Sequence, residues 1–372
     1  MEKKALIAMS GGVDSSVAAL LCQQAGFDCM GVTLKLYDNE DAGLPREKTC
    51  CSVDDVADAR SVAFRLGMPF YVFNFKEAFR REVMDRFVQA YERGETPNPC
   101  VDCNRYIKFE KLMRRGEETG FPYIATGHYA RVEFDGDAGR WLLKKGLDEN
   151  KDQSYMLWSL TQWELSRLLL PLGGLTKERV RQLAEEHGFL NARKRDSQDI
   201  CFVPDGDYAA FIRRYAGKEF PPGAFVGTQG QVYGQHKGII HYTVGQRKGL
   251  GLSFPQPMFV KELDVEKNRV VLAKAEELFS QEVIARDINL ISVESIPAPL
   301  RVKARVRYRQ KEQPATVLQT GPDELRVVFD QPQRAVTPGQ SLVLYDGDTV
   351  VGGGKIARKQ MERMGVASNI WN

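Results

Sequence analysis

Three groups of residues in this chain have the types and spacing to do chemistry. The first is the run Ser10-Gly11-Gly12-Val13-Asp14-Ser15-Ser16, set between an apolar stretch (5–9) and a helical pattern (15–25). Two glycines let the backbone approach an anion, and the unpaired N–H groups of a helix start point at it. Ser10, Ser15 and Ser16 add hydroxyls, whereas Asp14 beside a phosphate needs either a Mg²⁺ to hold or a loop to orient. A bare Ser-Gly-Gly would be a capped turn; the full run in a strand–turn–helix setting reads as a nucleotide site. The terminal lysine of a Walker loop is absent, as is the GxGxxG dinucleotide turn. The second group is the seven cysteines, Cys22, Cys29, Cys50, Cys51, Cys100, Cys103 and Cys201. An odd count with no export signal argues against a disulfide scaffold. Cys103 precedes a helix expected over 104–120, where the helix start and Arg105 would pull its thiol below the free value of about 8.5. Cys22 and Cys29 read as packing, and Cys50-Cys51 is undecided. Cys100-x-x-Cys103 is either a redox pair or half of a metal site, with no second such pair to complete structural zinc. The third group is RVKARVRYRQK (301–311), with Arg301, Lys303, Arg305, Arg307, Arg309 and Lys311 at alternate positions. On a strand all six share one face, suited to tracking phosphates. Basic clusters at 193–195 and 213–214 could extend it, and His187 and His236 read as ordinary surface residues.

The elements that would position these groups follow from periodicity. Short apolar runs at 5–9, 29–36, 69–75 and 122–128 alternate with helical patterns at 15–25, 53–67, 76–94 and 104–120, with TPNPCVDC as a proline-punctuated loop. That alternation predicts parallel β-α-β units, an α/β doubly wound parallel sheet. Beyond about residue 205 glycine and proline punctuate short β-like runs, which become regular over the last 90 or so residues as in a small antiparallel barrel.

Composition bounds the rest. With 372 residues, 43% hydrophobic and 27% charged, the chain is an ordinary globular one of two or three domains. Its 52 basic and 49 acidic residues leave +3, so total charge names no partner. No apolar run approaches the roughly 18 residues of a spanning helix, so no membrane partner and a cytoplasmic location are expected.

The phosphate loop resembles that of the ATP-pyrophosphatase superfamily. With SGGVDSS, TPNPxxxCN, ATGHYAR, NKDQSY, DSxxICF and HYTVGQRKGLG in this order, the chain resembles the tRNA-uridine 2-sulfurtransferase (2-thiouridylase) family over nearly its whole length. The resemblance implies an adenine nucleotide alpha hydrolase-like catalytic domain (1–204), a small central domain (205–279) and a C-terminal β-barrel that helps hold tRNA (280–372). It implies replacement of oxygen by sulfur at the 2-position of the wobble uridine at the expense of ATP with Mg²⁺. ATP would lie along Ala8, Met9, Ser10, Gly11, Gly12, Val13, Asp14 and Ser15, with Leu34 and Gly127 near the adenosine. Asn98, Pro99 and Cys100 would face the target base, and His128, Lys151, Asp152, Gln153, Arg307, Tyr308 and Gln340 would contact tRNA. Cys103 would be the nucleophile and Cys201 the persulfide carrier, the two able to close a transient disulfide. The sulfur would come from a persulfide or sulfide donor such as a cysteine desulfurase or a sulfur-relay protein. Many family members have Asp where this chain has Cys100, and the general-base role attached to that Asp has no counterpart here. Cys100, Cys103 and Cys201 are therefore also a candidate ligand set for an iron–sulfur cluster (4Fe-4S) with one iron open to sulfide.

Two rival readings stand beside this one. A pyrophosphatase-loop enzyme of a small metabolite leaves the distant thiols without work, and a non-catalytic redox or iron-sensing RNA-binding protein leaves SGGVDSS without work. Reversing Arg305 and Arg307 to Glu is expected to weaken tRNA binding and spare ATP binding.

Overall fold

The computed structural model describes residues 2–38, 53–194 and 200–358. Cys50, Cys51, Arg195 and the first four residues of DSQDICF lie outside them.

The alternating runs form the expected parallel sheet. Strands β1 (Lys4–Ala8), β2 (Asp28–Lys35), β3 (Phe70–Asn74), β4 (Tyr123–Ala125) and the short β7 (Leu168–Leu169) lie in the order β3-β2-β1-β4-β7, all parallel. Alternation along β1 separates two cores. Ala5 and Ile7 pack with residues of α1 (Val13–Gln24), α2 (Val53–Arg65) and α6 (Lys177–Glu186). Leu6 packs on the other face with Phe79, Val83, Phe87, Ile107 and Leu112. Those side chains belong to two helices, each interrupted by a π-helical turn. Helix α3 comprises Lys76–Phe79, the π turn Arg80–Met84 and Asp85–Glu92. Helix α4 comprises Pro99–Asp102, the π turn Cys103–Lys111 and Leu112–Glu118.

Helix α4 starts earlier than its periodicity suggests. Asn98 caps it by accepting a bond from the Cys100 N–H (3.2 Å), and Pro99 fills the first helical position, where its missing N–H costs nothing. Asn-Pro was thus a helix start, and the loop expected at TPNPCVDC ends at Asn98.

A hairpin not foreseen from the sequence, β5 (Ala130–Asp135) and β6 (Arg140–Lys145), leaves this domain to pair with the barrel through Lys144 and Thr349. After the single-turn helix α5 (Gln162–Leu165) and α6, helix α7 (Tyr208–Ala216) leads into the central sheet. That sheet holds β8 (Gly223–Gly227), β9 (Val232–His236), β10 (Phe259–Asp264) and β11 (Arg269–Ala273) in the order β10-β11-β8-β9. His236 is 1% exposed, held between the rings of Phe225 and Tyr242, so it is a core residue and not the surface one expected. The last six strands are β12 (Phe279–Leu290), β13 (Leu300–Arg305), β14 (Gln313–Gly321), β15 (Glu324–Arg334), β16 (Ser341–Asp346) and β17 (Thr349–Ile356). They are antiparallel, and the β12–β17 pairing closes them into a barrel.

Strand β13 ends at Arg305, so the basic alternation expected to share one face does not continue as a strand. Among the described residues, no helix is long and apolar enough to cross a membrane.

Candidate active site

The sheet order reverses between β1 and β4, which is where open α/β sheets bind their ligands. The segments leaving those two strands meet there. Gly11 has φ +73°, and the Asp55 backbone occupies the space a Cβ would need. Glycine is required at this turn on both counts. A Cβ on Gly127, just after β4, would lie 2.7 Å from the Asp14 carbonyl carbon and 2.8 Å from the Ser15 nitrogen. Hydroxyls fix the loop internally: Ser15 and Ser16 both donate to the Gly12 carbonyl (3.0 and 3.1 Å). Asn191 donates to the Gly11 carbonyl and to Ser16 Oγ (3.0 and 2.9 Å). Gly12 caps α1 without a side-chain bond, so the first N–H groups of the helix keep their anion-binding capacity. Asp14 has the loop-orienting role: its carboxylate accepts from Tyr129 Oη (2.7 Å) and from Lys177 Nζ (2.8 Å).

These loops open on a cleft of about 1240 Å³ whose lining includes Ala8, Met9, Ser10, Gly12, Val13, Asp14, Ser15, Leu34 and Gly127. Pro99, Cys100, Cys103, His128, Lys151, Asp152, Gln153, Cys201 and Tyr308 line the same cleft. The two thiols far apart in sequence therefore face one space, positioned by different devices. Cys201 is carried by its neighbour Phe202, 1% exposed, whose ring packs edge-on against Phe79 and Phe87 at 5.8 and 5.3 Å. The Cys201 carbonyl also accepts from Tyr37 Oη (2.5 Å). Cys103 opens the π turn of α4. Its flanking residues tie that helix to the barrel: Arg105 donates to Asp287 (2.8 and 2.9 Å), and Asp102 accepts from Lys355 (3.0 Å).

That geometry corrects the expected activation of Cys103. The residue lies inside α4 and not before it, and Arg105 is directed to Asp287. Cys103 is 9% exposed, and burial pushes its thiol up to about 11, with Lys108 pulling the other way. Desolvation in the cleft raises Cys100 as well, although that residue has exposed surface. Burial also holds His128 well below the usual imidazole value, so it is neutral, with Nδ1 2.7 Å from Thr126 Oγ1.

Several expected tRNA contacts have structural partners. Asp152 is buried and accepts from the Gly146 and Ser154 N–H groups (3.1 Å each). Gln153 accepts from the Tyr129 N–H (2.9 Å), and Tyr308 Oη donates to the Asp152 carbonyl (3.1 Å). Gln340 donates to the Thr96 carbonyl (2.6 Å), joining the barrel to the segment before α4. Arg307 donates to the Val244 and Ala335 carbonyls (2.9 and 3.0 Å) and to Thr337 (2.6 Å), joining the turn at Val244, between β9 and β10, to the barrel. Arg305 pairs with Glu312 (2.8 Å) and exposed Arg301 with Asp330 (2.7 Å). Lys303, Arg309 and Lys311 are exposed, line the cleft and have no acidic partner among the described residues. The basic face therefore exists through these three, on a strand and the loop after it. Among the described residues no three His, Cys, Asp or Glu side chains come together to hold a metal. Cys100, Cys103 and Cys201 are thus not gathered as the ligand set of a cluster.

Lys177, Tyr129, Asn191, Asp287 and Lys355 escaped sequence reasoning. Each acts across the fold; Tyr129 lies within ATGHYAR, and the other four belong to no motif.

Residues 3–205 match the family model described as tRNA methyl transferase HUP domain, residues 209–274 its PRC-barrel domain, and residues 280–356 the aminomethyltransferase beta-barrel domain. The tRNA-specific 2-thiouridylase MnmA of Clostridioides difficile is 50% identical over 358 residues, 96% of this chain and 99% of that protein. The chain belongs to the tRNA-specific 2-thiouridylase family. A second 2-thiouridylase, from Acetivibrio thermocellus, is 50% identical over 356 residues, 95% of this chain and 99% of its own. Among solved structures, a 4-thiouridine synthetase–RNA complex with bound ATP overlaps 58% of this chain and 50% of its own at 20% identity. Its TM-score is 0.35, too low to add to the argument. A phosphate loop and thiols share one chain here, and both open on the same cleft.

Proposed function

We propose that this enzyme replaces O2 of the wobble uridine of tRNA by sulfur, activating the oxygen with ATP and delivering the sulfur from a persulfide on Cys201. The observation that carries the reading is the single cleft shared by the phosphate loop, Cys103 and Cys201. A methyl transfer, which the description of the family model would suggest, leaves the pyrophosphate loop without work.

Uracil O2 attacks the α-phosphorus of ATP, pyrophosphate departs, and the base holds its oxygen as an adenylate. The loop 10–15 and the start of α1 hold the departing pyrophosphate, whose charge suits those N–H groups. Mg²⁺ would arrive with the triphosphate, since it is commonly bound through substrate phosphates with few protein carboxylates. The terminal sulfur of the Cys201 persulfide then bonds to C2, the C2–O bond breaks, and its electron pair leaves with AMP. The Cys103 thiolate attacks Cys201 Sγ. The sulfur–sulfur bond to the base breaks, its electrons return to the thiocarbonyl, and a Cys103–Cys201 disulfide remains for an external thiol to reduce.

The test is incubation with ATP, Mg²⁺, a persulfide donor and unmodified tRNA, followed by digestion and nucleoside mass spectrometry. The expected product is ATP-dependent 2-thiouridine, absent with Cys201→Ser. Pyrophosphate release on a small acid or amide, with tRNA unchanged, would overturn the reading.

A further inference from the structure

Acids neutralise several cations around the cleft. Lys177 is paired with Asp14, Lys194 with Asp55 and Asp58, Lys145 with Glu312, and Arg305 with Glu312. Lys108 differs: it lines the cleft and has no hydrogen-bond or ion-pair partner among the described residues. Its position follows from the helix. The segment Cys103–Lys111 is π-helical, and the wider turn that goes with its i→i+5 hydrogen bonds brings residue 108 round toward the face of residue 103. In an α-helix a residue five positions along turns away from its partner. The π turn thus presents an unneutralised ammonium on the face of α4 that carries the buried thiol. Lys108 is also the cation whose charge favours the ionised forms of both Cys100 and Cys103.

We infer that Lys108 is a further catalytic residue of the sulfur-transfer step, the cation that touches and stabilises the negative charge formed at the Cys103 end of the cleft. This rests on the proposed thiolation. When sulfur bonds to C2 and the C2–O bond breaks, AMP takes the electron pair and leaves with added negative charge. When Cys103 attacks Cys201, its sulfur must be anionic in a place that disfavours anions. Both charges arise beside the reacting carbon, and an ammonium fixed there by the helix needs no reorganisation to meet them. Adenylation releases its charge as pyrophosphate at the far loop, so Lys108 belongs to the second half of the reaction.

The experiment compares wild type, Lys108→Met and Lys108→Arg in the full-length enzyme carrying a persulfide. It reads ATP-dependent pyrophosphate release, single-turnover 2-thiouridine formation and melting temperature. Lys108→Met is expected to lower thiouridine formation on the order of 100-fold while pyrophosphate release stays within about threefold, with Lys108→Arg regaining about tenfold. Thiouridine formation by Lys108→Met within about threefold of wild type overturns the inference. So does a parallel loss of both half-reactions with a lowered melting temperature, or a defect that Lys108→Arg does not relieve. A wild-type arm yielding no thiouridine would instead overturn the thiolation reading itself.

Discussion

Cys103, the nucleophile of the proposed reaction, is kept protonated by its surroundings. With its thiol pushed up to about 11, the thiolate fraction in the unliganded protein rises about tenfold for each pH unit between 7 and 9. Alkylation of Cys103 by iodoacetamide should follow that slope, and a plateau below pH 8 would show a thiol already ionised. Burial sets that protonation, and the expected activation of the thiol failed because Cys103 lies within its helix and not in front of it. That Cys103 and Cys201 belong to one site was suggested by the motifs, and both line one cleft; the protonation of Cys103 was not legible, since its burial comes from elements packed around it. The phosphate loop was more transparent. Gly11 needs a positive φ and has the Asp55 backbone where a Cβ would go, and Gly127 abuts Asp14 and Ser15. Gly127→Ala should weaken ATP binding more than tenfold by titration calorimetry, because neither neighbouring backbone can retreat without moving the loop; unaltered affinity would contradict the close approach.

At the scale of elements, α4 matters most. It was expected as a helix from 104, and Asn98 with Pro99 starts it at 99. The π turn has no signature in the apolar periodicity, which is why Lys108 was not singled out. The helix is held from outside by Lys355 of β17 and Asp287 of β12, the latter at φ +52°, a conformation uncommon for residues other than glycine. Removing one partner of a half-buried pair leaves the other uncompensated. Lys355→Met should therefore slow single-turnover thiolation several-fold through misplacement of Cys103, leaving ATP affinity unchanged and Lys355→Arg largely active. Equal rates in Lys355→Met and wild type would show that the barrel does not position the thiol.

At the scale of the molecule, the parallel sheet and the antiparallel barrel were both readable from hydrophobic period, because in each the apolar runs recur between regular turn signals. The joints between them were not. The β5–β6 hairpin extends the barrel sheet from within the first domain. Trp158 is buried and donates to Ser341 Oγ (2.9 Å), and Arg307 bonds the turn at Val244 to the barrel. Local sequence cannot announce a partner supplied by another domain. The six-residue basic strand failed for this reason, since Arg305 and Arg307 are spent on carboxylates and carbonyls. Reversing those two should lower the melting temperature, so they are poor probes of RNA binding. Lys303→Gln, Arg309→Gln and Lys311→Gln together should weaken tRNA binding and reduce the magnitude of its log–log salt slope by roughly 2–3, with stability held. An unchanged slope would place the RNA elsewhere.

The account turns on sulfur passing from Cys201 to the base while Cys103 closes the disulfide. The most direct measurement is a single turnover of the persulfidated enzyme with ATP and tRNA, quenched in acid and divided between nucleoside and peptide mass spectrometry. The account predicts that each 2-thiouridine is matched by one AMP and one Cys103–Cys201 disulfide, and that Cys103→Ser stalls as a Cys201–tRNA adduct. Thiouridine formed at full yield with both thiols still reduced would contradict it.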